Sequence, residues 1–480
     1  MDQVTSNNSS SGESIDQLLA RINGMVEGAP VVSMDEPAPE QKATSVVVEA
    51  TADVDARAAA DINKFWPSEP KTLAEARVSG SAVEELILKF LLARGEATIR
   101  EVATQIAMPF ALVEEIIVRL KSEQLLGFID SQMNDYVCKL TDTGRDRGRR
   151  ASDFCSYFGA TPVHFSDYVS SVTAQTITNQ SPSEEDLSRA FSDLLIDPKM
   201  MIKLGPAVNS GRGMFLFGYP GNGKTSIAER ITAAFGPYVW IPRAISMDRD
   251  IVRLFDPMSH IECPIEEGEG LLSDQDFDKR WVRIRRPTIV VGGELTMEHL
   301  EMQYNPQSGI SEAPVQMKSN TGLLLIDDFG RQRMSVDELL NRWIVLLEKR
   351  YDFLNTSNGK KVQVPFDQLV VFSTNLEPKD LVDDAFLRRI PYKIEVPNPS
   401  VENFVKLFKI MCGVYKFEWK PELIQWLIEK HYLPTNRPLR NCHPRDLLLQ
   451  VQNYSKYLKI PPVLTEEALD FACENYFSIM

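Results

Sequence analysis

The sequence predicts an α/β protein built on a parallel sheet, with a helical region after it and a smaller α+β domain before it. Three observations carry that expectation. Between about Pro162 and Pro399, short apolar runs at Met214–Phe217, Leu323–Ile326 and Leu369–Phe372 alternate with amphipathic stretches, as in strands covered on both faces by helices. A glycine-rich loop lies directly between the first of these runs and a helical segment. After Asn398 the chain reads as mainly helical to Met480.

In chain order, residues 1–66 are rich in Ser, Ala, Glu and Pro. The first sixty carry ten acids against three bases, about −7 net, a composition that predicts a disordered acidic tail. Within it, Ile15, Leu18, Leu19, Ile22 and Val26 fall at helical spacing, so residues 13–26 read either as a short amphipathic helix for a partner's groove or as a transient helix without a role. Residues 70–160 form the next unit. Val83–Ala93, Ile99–Gln105 and Phe110–Gln124 read as helices, and Gly127–Asp130 and Tyr136–Leu140 as strands flanking the turn Met133-Asn134-Asp135. Three helices followed by a hairpin look like a winged helix. Its third helix carries Glu114, Glu115 and Glu123 against Arg119 and Lys121, a balance that suits a protein contact better than phosphates. The cluster Arg145, Arg147, Arg149 and Arg150 keeps DNA open as a partner.

Residues 161–399 hold the chemistry. Gly218-Tyr219-Pro220-Gly221-Asn222-Gly223-Lys224-Thr225 follows a strand and opens the helical run from Ser226, the context a phosphate-binding GxxxxGK[ST] loop requires. Its glycines let backbone N–H groups turn toward phosphates, and the helix N-terminus adds partial positive charge. Gly218, Pro220, Gly221, Asn222, Gly223, Lys224, Thr225 and Ser226 are the expected nucleotide-binding residues, with Lys224 on the β/γ-phosphates and the Thr225 hydroxyl on Mg²⁺. The strand Leu323–Ile326 ends in two carboxylates. Asp327 is placed to hold the metal shell and Asp328 to polarise an attacking water. The strand from Leu369 ends in Asn375, at the edge where ligands of open α/β sheets gather, and its amide is placed to orient that water.

Bulk properties limit the alternatives. A net charge of −15 disfavours non-specific nucleic-acid binding by the whole surface. The six cysteines lie scattered without a CxxC pair, which predicts reduced, mostly buried thiols. No apolar run of membrane-spanning length and no leader-like start is present, so a cytoplasmic location is expected.

From Pro162 to Met480 these residues resemble the AAA+ superfamily. GYPGNGKT resembles Walker A, LLLIDD resembles Walker B, and Asn375 resembles sensor 1. The stretch from Asp384 to Ile390 resembles box VII, which implies an arginine finger for a neighbouring subunit, with Arg389 the first choice and Arg388 the second. Cys442-His443-Pro444-Arg445-Asp446-Leu447 resembles sensor 2, implying that Arg445 reaches the γ-phosphate. Most relatives carry Asp-Glu in Walker B; the Asp-Asp here resembles the replication-initiator and helicase-loader branches.

The distance from Lys224 to Asp327 leaves about 45 residues beyond one strand and one helix, predicting an insertion at about 255–320 that includes an added strand at Thr288–Gly292. Residues 313–328 and the hairpin expected at Tyr351–Phe366 resemble the helix-2-insert clade of MoxR-type chaperones and enhancer-binding activators. LGPAVNSGR, LLIDDFGRQR and PFDQLVVFSTN also resemble a bacterial group described only as ATPases with predicted chaperone activity. The resemblance implies an ATPase acting as a ring, a hexamer by analogy, with residues 400–480 as a helical lid. The leading functional expectation is an ATP-dependent remodeller of a protein client bound through the winged helix or the tail. The alternative is a DNA-bound regulator that uses ATP as a switch.

Three further features have plainer readings. Arg280, Arg283, Arg285 and Arg286 beside Trp281 read as a solvated insertion face rather than a pore or nucleic-acid surface. His260 and Cys263 lack a second pair for a metal. Met302, Tyr304 and Met317 read as packing groups more than as a grip on substrate.

Overall fold

The computed structural model describes residues 65–132, 135–248, 250–265 and 277–478. The acidic tail and the amphipathic stripe at 13–26 lie outside the described residues. The chain divides into two compact units: one runs to Pro220 and resumes over Lys224–Val396, and the other comprises Gly221–Gly223 with the chain from Pro397 onward.

The centre of the first unit is a five-stranded sheet. Its members are β1 (Met214–Phe217), β2 (Thr288–Val291), β3 (Leu323–Ile326), β4 (Leu369–Thr374) and β5 (Tyr392–Glu395). All are parallel, in the order β2-β3-β4-β1-β5. Alternation along each strand explains why the runs are apolar throughout. Met214, Leu216, Leu323, Leu325, Leu369 and Val371 pack on one face against Leu204, Ile227, Ala228 and Ile231. Phe215, Leu324, Ile326, Val370 and Phe372 pack on the other against Phe329, Leu339, Trp343 and Phe386. Each such side chain contributes roughly 1.5–3 kcal/mol on burial, and period 2 sends neighbours to opposite covered faces. This is the expected α/β P-loop architecture, with the helical region following it.

The insertion differs from its expected position. Thr288–Val291 is no added strand but the outer member of the main sheet, in parallel register with Leu323–Ile326. A half-buried edge strand and an inserted strand have the same residue pattern, so only pairing separates them. The extra β-structure instead begins earlier, in an antiparallel pair of Tyr238–Pro242 with Trp281–Arg285. A second five-stranded sheet follows, in the order 303–305, 310–312, 250–253, 244–247, 163–164. The hairpin expected near Asn358-Gly359 is present, with Tyr351–Asn355 paired to Lys361–Pro365. The same unit pins its tip: the Ser357 N–H and Oγ both donate to the Asp250 carboxylate, at 2.7 and 2.6 Å.

The N-terminal part of this unit has the expected helices, at Gly80–Arg94, Ile99–Ile106 and Phe110–Ser122, and the hairpin Leu126–Gln132 with Asp135–Leu140. Two elements are additional. Glu96–Thr98 adds a third strand beside Asp135–Leu140, and Asp142–Phe154 forms a further helix that carries the arginine cluster. That helix closes on the domain because Gly144 has no side chain: a Cβ there would stand 1.8 Å from the Leu125 carbonyl oxygen. Thr161 anchors the chain as it leaves this domain, its N–H and Oγ both donating to the Ile106 carbonyl.

In the other unit, helices Val401–Val414, Pro421–His431, His443–Leu458 and Glu466–Phe477 enclose Phe404, Phe408, Leu427, Leu447, Val451 and Leu469. Ser400 and Thr465 cap two of these helices with side-chain oxygens.

Candidate functional site

Parallel register sets the site. Phe217 of β1 lies opposite Thr374 of β4, and Ile326 of β3 opposite Phe372, so the phosphate loop, the acidic pair and Asn375 all emerge at one edge of the sheet. The loop leaves β1 at Gly218, whose φ of 137° and approach to Val396 admit no side chain: a Cβ would stand 2.5 Å from the Val396 carbonyl oxygen. Gly221 and Gly223 also have positive φ, 82° and 85°, and the helix Lys224–Ile231 starts immediately after them.

Lys224 is 8 % exposed. Its ammonium donates to the carbonyls of Gly218 (2.9 Å) and Tyr219 (3.1 Å) and to Asn375 Oδ1 (2.7 Å). Burial lowers its pKa below the ordinary lysine value, and the Asp327 and Asp328 carboxylates oppose that shift. Thr225 Oγ1 donates to Asp327 Oδ2 at 2.7 Å. Asp327 is fixed from behind by its N–H to the Val291 carbonyl, and Asn375 Nδ2 faces Asp328 Oδ1 at 3.4 Å. Asp328 stands at φ 49°, a left-handed position that Asp tolerates better than most residues. A hydroxyl and a carboxylate in contact are the oxygen donors a hard divalent cation takes alongside phosphate and water, so Thr225 and Asp327 fit Mg²⁺.

The loop tip is held within the other unit. Cys442 N–H donates to the Gly221 carbonyl (2.9 Å), Asn441 Nδ2 to the Asn222 carbonyl (3.1 Å), and Asn222 Nδ2 to Asn398 Oδ1 (2.8 Å). Asn398, Asn441 and Cys442 were not expected at the loop, and contacts this remote in sequence leave no local pattern. Gln332 was not expected either, although its amide folds back only a few residues, onto the turn after β3.

The arginines have different surroundings. Arg389 bridges to Glu348 at 2.7 Å and is half-buried, whereas Arg388 is exposed at the end of the short helix Asp384–Leu387. Arg445 is exposed and donates to Asp446 at 2.9 Å, which raises its pKa. The run from Arg280 is not a solvated face. Arg280 is buried in an ion pair with Asp278 and donates to the Ala76 carbonyl (2.9 Å). Arg283 serves the carbonyls of Cys263 and Pro264, and Arg286 those of Gly236 and Thr321. Of this run only Arg285 is exposed. His260 is buried, and burial lowers its pKa below the ordinary imidazole value; its Nδ1 accepts from the Asp256 N–H and its Nε2 lies 2.9 Å from the Lys318 carbonyl. Among the described residues no group of three or more His, Cys, Asp or Glu could hold a metal ion, and all six cysteines are free. Met317 is buried in a core cluster against which Met302 also packs, while Tyr304 is 45 % exposed. No helix among the described residues is long and apolar enough to cross a membrane.

Residues 400–475 match a family described as a Domain of unknown function (DUF8689). No curated protein matches the chain in sequence. Among solved structures, a Thermotoga maritima RuvB point mutant aligns at 11 % identity and TM-score 0.33, covering 62 % of this chain and 71 % of that one. The T. maritima RuvB Holliday junction branch migration motor aligns at 13 % identity and TM-score 0.32, over 61 % and 69 %.

Proposed function

We propose that the chain is an Mg²⁺-dependent ATPase of the AAA+ type, hydrolysing ATP at the edge of its parallel sheet and using the cycle to remodel a protein client. The observation that carries this reading is the convergence of Lys224, Thr225, Asp327, Asp328 and Asn375 within one hydrogen-bonded group. Lys224 binds the β/γ-phosphates, and Asp328 with Asn375 holds the attacking water in line. Bound Mg²⁺, held by Thr225 and Asp327, supplies charge neutralisation at the phosphate oxygens. Arg445 acts as sensor 2. A neighbouring copy supplies the arginine finger from the Arg388–Arg389 pair, which makes turnover depend on a ring, a hexamer by analogy. In this reading Arg388 is the more available arm, because Arg389 is engaged with Glu348.

The hairpins at 303–312 and 351–365 support the helix-2-insert comparison. The exposed Glu115 and Val118 on the third N-terminal helix support a protein client over DNA. So do the pairings of the expected basic patch: Arg147 lies on Glu84 and Glu123, Arg145 on Asp142, and Arg149 on Asp146. A salt-dependent DNA shift by the full chain would instead favour the regulator reading.

The test is MgATP turnover by the full chain at increasing protein concentration. Lys224→Ala should abolish binding or reduce turnover at least about 100-fold. Arg388→Ala and Arg389→Ala should leave nucleotide affinity near normal, one of them removing most turnover. Full turnover in Lys224→Ala would overturn the ATPase, and undiminished activity in a monomeric double-arginine variant would overturn the ring.

A further inference from the structure

Immediately after β3 the backbone makes a tight turn with two left-handed residues in three, Asp328 at φ 49° and Gly330 at φ 98°. The N–H groups on the sheet side are taken up: Asp327 donates to Val291 on β2, and Phe329 to Ser373 on β4, at 2.8 and 2.7 Å. One side chain meets the carbonyls of both Asp327 and Asp328, and the Asp328 carbonyl also accepts the Arg331 N–H at 3.0 Å. Gln332 Nε2 donates to the Asp327 carbonyl at 3.0 Å and to the Asp328 carbonyl at 3.2 Å, while its Oε1 accepts the Gly330 N–H at 2.8 Å. A single primary amide thus closes a ring around the left-handed residue that carries the second carboxylate. Gln332 itself is half-buried, and its flanking residues Arg331 and Arg333 are exposed.

We infer that Gln332 is a positioning residue for hydrolysis: its amide holds the turn that aims the Asp328 carboxylate at the attacking water. The inference rests on the ATPase reading above. Its physical basis is the set of bonds the amide supplies. A non-glycine residue at positive φ stays there only when its surroundings over-determine the geometry. Here that determination is shared: the Arg331 N–H closes the turn on the Asp328 carbonyl at 3.0 Å, and Gln332 is the side chain that ties the Asp327 and Asp328 carbonyls and the Gly330 N–H together. The second acid is an Asp, with one methylene fewer than Glu, so its carboxylate has little side-chain freedom to recover a misplaced backbone. Asn375, 3.4 Å from Asp328 Oδ1, touches the carboxylate and not the turn, so it cannot substitute. Gln332 does not touch the Lys224 or Thr225 side chains in any hydrogen bond, so nucleotide affinity is separable from turnover.

The experiment uses the full chain with MgATP and reads kcat, nucleotide affinity and melting temperature. Gln332→Ala should lower kcat about 10–100-fold, the cost of displacing a reacting group by about an ångström, with nucleotide affinity within about threefold of the parent. Gln332→Glu keeps the acceptor for Gly330 but loses both donated bonds, so it should lose kcat comparably, which keeps the question open to test if the alanine variant folds poorly. In an Asp328→Asn background, Gln332→Ala should reduce the residual rate no further, because the group it aims is already disabled. Unchanged kcat in both single variants would overturn the inference. So would a loss of kcat and affinity in parallel with melting temperature, or additive losses in the double variant. A parent chain that does not hydrolyse ATP would sink the ATPase reading instead, a result distinct from all of these.

Discussion

The carboxyl edge of the main sheet and the N-terminal α+β region both concentrate charge, and they do so to opposite ends. At the sheet edge, Lys224, Asp327, Asp328 and Asn375 face one another at the ends of strands whose bodies are buried and mainly apolar. The core clusters packed beneath them include none of those side chains. In the N-terminal region, Glu84 is 8 % exposed and receives both Arg119 and Arg147, while the Asp135 carboxylate caps the helix at Ile99 and Arg100. There the charges close the structure, and a sequence cluster that looked available for phosphate is largely paired within its own domain. A run of charged residues therefore signals a site only where apolar packing has already secured the backbone that carries it.

That contrast can be broken in three ways. On the proposed role of its carboxylate in hydrolysis, Asp328→Asn should reduce turnover about 10²–10⁴-fold while leaving the melting temperature nearly unchanged. A drop in stability comparable to a core substitution would place Asp328 with the structural charges.

His443 sharpens the comparison from the C-terminal unit, where burial, with Arg440 close by, pushes its pKa down to about 4 from 6.5 and Tyr432 Oη lies 3.0 Å from Nδ1. The fold holds the neutral imidazole, so the unfolded chain takes up the proton first as pH falls. Stability from this group is full above about pH 6.5 and is lost progressively toward pH 4, by up to about 3 kcal/mol. Denaturation midpoints between pH 7 and 4 should show that slope, and His443→Gln should flatten it. An equal slope in the variant would assign the acid sensitivity elsewhere.

The smallest effect is expected at Glu84. Glu84→Ala should cost about 1 kcal/mol, because its arginine partners are half-exposed and can regain water. ATP turnover should stay at the parent level. A larger loss of turnover than of stability would show that this region is coupled to the sheet edge through more than packing.

How far the residues announced these roles varied with their distance in sequence. The glycine loop, the acidic pair and Asn375 were legible because each follows a buried, mainly apolar strand, and parallel strands end together. The helices Gly80–Arg94 and Phe110–Ser122 were legible from their apolar spacing. Glu96–Thr98 was too short to carry a pattern, and the helix Asp142–Phe154 is polar nearly throughout, so its apposition through Gly144 and Gly148 left no hydrophobic stripe to read. Arg280 and Arg286 looked solvated because charge predicts exposure. Their actual partners, Asp278 and the carbonyls of Ala76, Gly236 and Thr321, come mostly from segments far along the chain.

By itself the amino-acid order determined the α/β class, the glycine-rich loop and the charged and amide groups at the strand ends, since those depend on local periodicity and on residue types at short spacing. The tertiary structure decided that Thr288–Val291 belongs to the main sheet, that the basic patch is largely paired, and that Gln332 closes on the turn bearing Asp328. Each of these is a contact between groups whose pairing depends on where the backbone turns, and neither hydropathy nor charge along the chain records that geometry.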